Sequence, residues 1–258
     1  MDLGIKGKTA LITGGSRGLG RQSALALARE GVNVAICARG EERLAETAAE
    51  LRGLGVGVGA YTADLGKPDA AEHLMRSAEA DLGPLDILVN NVGGSLGTND
   101  LINSSLEDFQ TVMEVNLWSA VRLMKLAVPG MRERKWGRVI NIASIYGREH
   151  GGTAPYMTAK AAMIAATKHT AMTVARDGVT VNAIAPGSIL FPGGSWDRFV
   201  KNSSKETVDE FIARNLPMGK FGWPEPIGAA VAFLASRQAD LIVGACLNID
   251  GGQSHSLF

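Results

Sequence analysis

Charge of neither sign predominates in this chain: its 258 residues hold 26 Lys and Arg against 26 Asp and Glu. No global field gathers nucleic acid or an anionic membrane, so neither is expected as a partner. Cysteine is almost absent. Cys37 and Cys246 are far apart and lack the spacing of a metal site, so no metal is expected. Both lie in apolar, strand-like runs and read as buried free thiols, which suits a reducing, cytoplasmic compartment. No apolar run approaches the ~18 residues that cross a bilayer. Strand-like residues 9–12 come too early to leave room for a signal peptide, and none is expected. Linkers, repeats and low-complexity segments are also missing, so residues 1–258 read as one domain.

Glycine is the one bias, at 32 residues, and it points to tight turns and close backbone approaches. Apolar runs at 9–12, 32–37, 56–61, 85–90, 139–142, 180–185 and 241–249 alternate with helical patterns such as 41–52, 70–82 and 224–236. This alternation predicts an α/β chain with a parallel sheet and right-handed crossovers. The run 56–61 is unusual, since its alternating glycines leave little side chain to pack.

The first run leads into Thr13-Gly14-Gly15-Ser16-Arg17-Gly18-Leu19-Gly20 and then a helical pattern to Glu30. Strand, glycine-rich turn and helix together predict a phosphate site. The glycines let backbone N–H groups meet the anion at the positive end of the helix. The second strand ends at Ala38-Arg39-Gly40 rather than at an acid. In a dinucleotide fold an acid there holds the adenosine ribose diol, whereas Arg favours a 2′-phosphate. Arg17 approaches the same group, so NADP(H) is expected over NAD(H). Asp64, past the third strand, reads as an acceptor for the adenine amino group or as a turn acid. Gly93 and Gly94, past the fourth, permit close approach to a ligand.

Residues 106–129 read as an interrupted helix containing Asn116, a poor mid-helix residue. A kink with its amide bonded to backbone or water is one explanation; a partly exposed Asn is the other. The basic cluster 132–138 reads as a solvated loop. Tyr156 and Lys160 stand four apart on an Ala-rich helix, which places them side by side. A free phenol titrates near ~10. A neighbouring ammonium favours phenolate, so the pair predicts a tuned proton donor and acceptor. Residues 190–204 read as an irregular loop, and one this long is usually functional. Trp196, Phe199, Phe211 and Phe221 are expected to form a lid at about 190–220, or to pack beneath a mobile surface loop.

Taken in order, these pieces resemble the short-chain dehydrogenase/reductase family over nearly the whole length. The resemblance rests on the octet Thr13 to Gly20, Asp64, Asn90-Asn91-Val92-Gly93, Asn116, Ser144, Tyr156-Met157-Thr158-Ala159-Lys160, Asn182 with Pro186-Gly187, and Asp250-Gly251-Gly252. It implies a single-domain Rossmann fold: a doubly wound parallel sheet of about seven strands, with helices on both faces, in a homotetramer. It also implies Asn116, Ser144, Tyr156 and Lys160 as the catalytic set. Coenzyme contacts would come from Gly14, Ser16, Arg17, Gly18, Leu19 and Gly20 in the turn, with Arg39 beside them. Asp64 and Leu65 would meet the adenine, and Asn90, Val92 and Gly93 would follow along the coenzyme. Tyr156 and Lys160 would reach the ribose, and Pro186, Gly187 and Ile189 the nicotinamide end. Three departures stand out: Val92 replaces Ala, the gap from Ser144 to Tyr156 is about one residue short, and Leu190-Phe191-Pro192 follows Ile189 where a nearby Thr is usual.

The implied reaction is hydride transfer between NADP(H) and a carbonyl or secondary alcohol. Tyr156 exchanges the proton, Ser144 holds the oxygen, Lys160 lowers the Tyr156 pKa, and Asn116 anchors a proton-relay water. The implied substrate is a 3-oxoacyl thioester or another ketone. An NAD-dependent alcohol or sugar dehydrogenase and a catalytically idle nucleotide-binding sensor are the alternatives.

Overall fold

A computed structural model describes residues 2–257. Seven strands form one sheet: β1 (Thr9–Thr13), β2 (Asn33–Ala38), β3 (Val58–Thr62), β4 (Ile87–Asn90), β5 (Gly137–Ile142), β6 (Val179–Pro186) and β7 (Cys246–Ile249). Their order is β3-β2-β1-β4-β5-β6-β7, and every neighbouring pair is parallel. The central strands are apolar on both faces because helices cover both. In β1, Ala10 and Ile12 face one layer and Leu11 the other; β2 repeats this with Val34 and Ile36 against Ala35 and Cys37. The first layer holds α1 (Gly18–Arg29), α2 (Glu41–Arg52) and α9 (Glu225–Ala235). The second holds α3 (Ala70–Leu82), α5 (Ser119–Glu133) and α6 (Ala154–Val174). A further helix, α4 (Leu106–Met113), runs into α5 through a π turn at Glu114–Trp118. Two short helices, α7 (Ser195–Asn202) and α8 (Lys205–Asn215), follow β6.

The strand order reverses at β1, which has β2 on one side and β4 on the other. Loops leaving the two strands diverge there and open a crevice at their carboxyl ends. Helix α1 borders that crevice, and α9 fixes its position. Gly228 lets the two helices meet backbone to backbone: a Cβ there would lie 2.5 Å from the Gln22 carbonyl oxygen.

The glycines of the third strand have a steric reason. A Cβ on Gly59 would fall 2.4 Å from the Tyr61 hydroxyl, whose ring lies back along the same face. That hydroxyl donates to Asp81 Oδ2 at 2.7 Å. Four expectations are corrected. Helix α5 continues through the exposed Pro129 to Glu133, giving up the one backbone donor that proline lacks. The cluster 132–138 is a solvated turn only as far as Lys135, with Arg132 and Lys135 on Asp177. Arg138 lies buried in β5, with Asp240 and the Gly137 carbonyl as partners, and Trp136 is held between Lys8 and Arg138 at 4.1 and 4.5 Å from its ring centroid. The last strand is shorter than 241–249, with Leu241 exposed ahead of it. Cys246 is only half-buried, because β7 is the sheet edge; Cys37, inside the sheet, is fully buried. Burial pushes the Cys37 thiol up to about 12, so it stays protonated and inert. No helix among the described residues is long and apolar enough to cross a membrane.

Replacing Gly228 with Val should wedge α9 from α1. Overpacking of this kind costs about 1–3 kcal/mol, to be read from urea unfolding of the two proteins.

Candidate active site

The crevice begins where β1 meets β4. Thr13 Oγ1 accepts from the Asn91 and Val92 N–H groups at 2.8 and 3.0 Å. Asn91 Nδ2 donates to the carbonyls of Thr13 and Gly14 at 2.8 and 3.3 Å. These bonds fix the two strand ends to one another. Gly14 turns the chain with φ +67°, and a Cβ on Gly20 would lie 2.3 Å from the Gly14 oxygen. Helix α1 therefore starts tight against the turn. Its N-terminus has no side-chain cap and no acid in its first turn. Free N–H groups at the positive end of a helix fit an anionic phosphate group.

The cleft from this turn to α6 has a volume of about 1740 Å³. Gly14, Ser16, Arg17, Leu19, Arg39, Asp64 and Leu65 line the side next to the glycine turn. Asp64 faces the cleft and accepts from the Gly66 N–H at 3.1 Å, which is the turn-acid reading. Val92, Gly93, Ser144, Tyr156, Lys160, Pro186, Gly187 and Ile189 line the other side. Gly18, Gly20, Asn90 and Asn116 do not reach the wall. Gly18 and Gly20 act by being small: a Cβ on Gly18 would strike the Phe191 ring at 2.6 Å. The Asn90 side chain turns into the sheet, where it donates to Asn141 Oδ1 at 2.8 Å, because alternation along β4 points it away from the cleft.

Ser144 ends the chain's run out of β5. It is buried, and its hydroxyl accepts from the Tyr146 N–H at 3.2 Å, capping a short 3₁₀ turn. The short path to α6 is tightened at Gly151 and Gly152, where the Tyr146 ring takes the space a Cβ would fill. Pro155 opens α6 and places Tyr156 in its first turn, with Lys160 one turn on. Lys160 is 2% exposed. Its Nζ donates to the Ile142 carbonyl at 2.8 Å and stands 5.6 Å from the Tyr156 ring centroid. Asn116 sits in the π turn, fully buried, so the kinked reading holds and the exposed one does not. Its Nδ2 donates to the carbonyls of Gly94 and Val112, and its Oδ1 accepts from the Gly94 N–H, each at 2.9 Å. Gly93 passes between Asn116 and Lys160: a Cβ would lie 2.6 Å from Asn116 Oδ1 and 3.0 Å from Lys160 Nζ.

The electrostatics differ from expectation at one point. Burial raises the Tyr156 pKa, and the Ser144 hydroxyl pulls only partly the other way. Burial, not Lys160, dominates the result. The Lys160 ammonium is itself desolvated, which brings its pKa down to about 8, and it points at Ile142 rather than at the phenol oxygen.

Beyond Ile189 the segment 190–204 is not irregular throughout, since α7 occupies most of it. Asp197 Oδ2 explains the helix: it accepts from the Gly193 N–H at 2.9 Å and from Lys201 Nζ at 2.8 Å. The Trp196 ring centroid lies 5.6, 4.7 and 5.4 Å from those of Phe199, Phe211 and Phe221. The aromatics pack on one another, while Trp196 and Phe199 also face the cleft. Sequence reasoning missed Arg43 and Arg198, which also line the cleft. Arg43 had a local signal, standing four residues after Arg39. Arg198 had none, since only the fold brings it to Arg17.

The family model described as enoyl-(acyl carrier protein) reductase matches residues 14–254. The chain belongs to the short-chain dehydrogenase/reductase family. As a member of that family it is an oxidoreductase. It is 36% identical over 260 residues to a D-beta-hydroxybutyrate dehydrogenase of Cupriavidus necator, covering 96% of this chain and 98% of that one. It is 34% identical over 247 residues to a 3-oxoacyl-[acyl-carrier-protein] reductase of Staphylococcus aureus, covering 95% and 97%. The L-sorbose reductase of Gluconobacter frateurii, solved with NADPH and L-sorbose, superimposes with a TM-score of 0.93 at 33% identity over the whole of both chains.

The depressed Lys160 pKa is also a stability statement. Between about 8 in the folded chain and 10.5 unfolded, the folded state holds fewer protons, so stability rises with pH across that window. Relative to Lys160→Met, the parent should gain about 1–3 kcal/mol between pH 8 and pH 10. Urea unfolding at stepped pH measures it, and the titration of other groups cancels in the difference.

Proposed function

We propose that this short-chain dehydrogenase/reductase is an NADP(H)-dependent reductase of a ketone. One observation carries the reading: a single cleft joins an arginine-lined end, with no acid where β2 ends, to the buried group of Ser144, Tyr156 and Lys160. When bound, the nicotinamide coenzyme supplies the hydride. The residues of the chain do the rest. The glycine turn and the open N-terminus of α1 receive its phosphates, and Arg17 and Arg39 favour a 2′-phosphate over a free ribose diol.

Tyr156 is the proton donor. Its raised pKa keeps it in the acid form at neutral pH, which is the form a reduction needs. Ser144 shares its proton acceptor, the substrate oxygen, and stabilises the charge that develops there. Lys160 holds the ribose and, with a pKa of about 8, exchanges protons near neutrality. Asn116 has committed both Nδ2 hydrogens and one Oδ1 lone pair to Gly94 and Val112, which leaves one lone pair for a relay water. Its first effect is to hold Gly93 against Lys160. The α7–α8 segment forms the lid, and its aromatic face suits an apolar or mixed ketone, a 3-oxoacyl thioester among them. The homotetramer expected of the family would have to cover exposed apolar side chains such as Leu106 at 81% and Trp118 at 46%.

Tyr156→Phe should lower turnover of a ketone panel by at least about 10³-fold with NADPH affinity unchanged. Turnover within tenfold of the parent removes Tyr156 from its role. In tryptophan-quenching titrations NADPH should bind at least tenfold tighter than NADH, since the 2′-phosphate adds charge-assisted bonds worth about that much. Equal affinity would make Arg17 and Arg39 ordinary surface charges.

A further inference from the structure

Arginine gathers at one place in this molecule without a salt-bridge partner among the described residues. Arg17 comes from the glycine turn, Arg39 from the end of β2, Arg43 from the first turn of α2 and Arg198 from α7. Among the described residues none of the four forms a salt bridge. Three of them converge on Gly193. Arg17 Nη1 and Arg198 Nη1 donate to its carbonyl at 2.9 and 3.0 Å. A Cβ on Gly193 would lie 2.8 Å from Arg17 Nη1 and 3.3 Å from Arg43 Nη1. The charges of Arg43, Arg198 and Arg39 are all felt at Arg17. Of the acids nearby, Asp197 bonds the Gly193 N–H and Lys201 and feels the charge of Arg198 without a salt bridge to it, while Glu41 and Glu42 line the cleft without pairing.

A guanidinium offers five donors, and like charges brought together in this way repel. One neutral carbonyl shared by two of them satisfies little of that capacity. The arrangement is complementary to a compact dianion with several oxygens, which is the chemistry of a phosphate monoester. Three of the cations belong to the wall that receives the adenosine half of a dinucleotide. The fourth belongs to the lid.

We propose that Arg198 reads the adenosine 2′-phosphate from the lid side of the cleft, with Arg43 joining Arg17 and Arg39 on the other side. The coenzyme phosphate then fastens α7 to the glycine turn. This rests on the coenzyme reading above and adds a residue and a consequence to it. Arg198 becomes a determinant of coenzyme choice although it lies on the segment that covers the substrate. The free protein holds the same arrangement loosely through Gly193, and the dianion replaces a shared carbonyl with bonds to each guanidinium.

The test uses the whole protein and nucleotide fragments, so it needs no substrate. Calorimetry compares 2′,5′-ADP, 5′-AMP and 3′,5′-ADP on the parent and on Arg198→Gln. The parent should prefer 2′,5′-ADP to 5′-AMP. Arg198→Gln should weaken 2′,5′-ADP about tenfold, the size of one exposed charge-assisted bond, and leave 5′-AMP unchanged. A loss shared equally by the two nucleotides would mean that Arg198 only braces the strap at Gly193, and would overturn the proposal. Tighter binding of 3′,5′-ADP than of 2′,5′-ADP would overturn it in favour of the nucleotide end of coenzyme A. If the parent itself does not separate 2′,5′-ADP from 5′-AMP, the NADP(H) reading fails along with it. If the parent separates them and Arg198→Gln does so equally well, only the role of Arg198 fails.

The fastening of the lid has its own readout. Lys201 and Lys205 are exposed on α7 and α8, with side chains 68% and 84% accessible. Lysyl endopeptidase cleavage there should slow several-fold with 2′,5′-ADP and not with 5′-AMP, and the protection should disappear in Arg198→Gln. Equal cleavage rates with and without 2′,5′-ADP in the parent would show that the phosphate does not hold the lid.

Discussion

The buried ammonium of Lys160 is the constraint around which this site is built. Removing such a group from water costs about 3 kcal/mol, taking its fall from 10.5 to about 8 at face value. One carbonyl, that of Ile142, faces it. The neighbouring chain is shaped to leave this ion room and little else. Gly93 has no side chain because Lys160 Nζ and Asn116 Oδ1 stand where one would be. Asn116 is a buried amide inside a helix because the Gly93–Gly94 turn needs both a donor and an acceptor there. The helix accommodates it with a π turn, a device that often marks a functional position. Gly147 is small because its Cβ would meet the Lys160 carbonyl oxygen at 2.8 Å. Gly93 thus answers to the lysine side chain, Gly147 to the backbone of the same residue, and Asn116 to the turn that carries Gly93 past it.

How much of this can be read from the chain follows from the range of each interaction. Helices 41–52 and 70–82 are visible to the residue, because caps, periodicity and stops are local. The Tyr156 and Lys160 pair is visible for the same reason, being one helical turn apart. The odd placement of Asn116 is legible as a question, though not its partners. Other features depend on contacts across the fold. Arg138 looks like part of a basic loop until β5 carries it beneath Asp240. Cys246 looks like Cys37 until the sheet order puts one at the edge and the other inside. Gly59 has no visible reason until Tyr61 folds over it. The Lys160 effect on Tyr156 was misjudged for a related reason: spacing gives the neighbour but not the direction in which its charge points.

The balanced net charge of the chain conceals an asymmetry along the cleft. At one end four guanidinium groups lie without salt-bridge partners; at the other a phenol and a single ammonium are held in apolar surroundings. Charge that is exposed and unpaired binds a ligand, whereas charge that is buried has its protonation tuned. Burial thus separates the two ends of one cleft. Arg138, the one deeply buried arginine of β5, is paired and takes no part.

The two walls of the cleft are also anchored differently. On the Ser144 side, Glu149 Oε2 accepts from the Ser254 hydroxyl and the His255 and Ser256 N–H groups at 2.9, 2.7 and 2.9 Å. Gln253 Oε1 accepts from the Ser188 N–H at 2.7 Å, so the C-terminal tail ties the loop after β5 to the loop after β6. Past Ile189, which pairs with Gly222, the chain toward α7 meets the glycine turn through Phe191 on Gly18 and the carbonyl of Gly193. A proton donor needs fixed geometry, because a catalytic group displaced by an ångström loses much of its effect. A cover over a cleft needs the reverse, few and exchangeable contacts, because it must admit a ligand before holding it. The tail ties down the wall that carries Ser144 and Tyr156 and leaves the α7 wall to a shared carbonyl and an aromatic cluster, so on the proposed function rigidity and access fall to separate stretches of one chain.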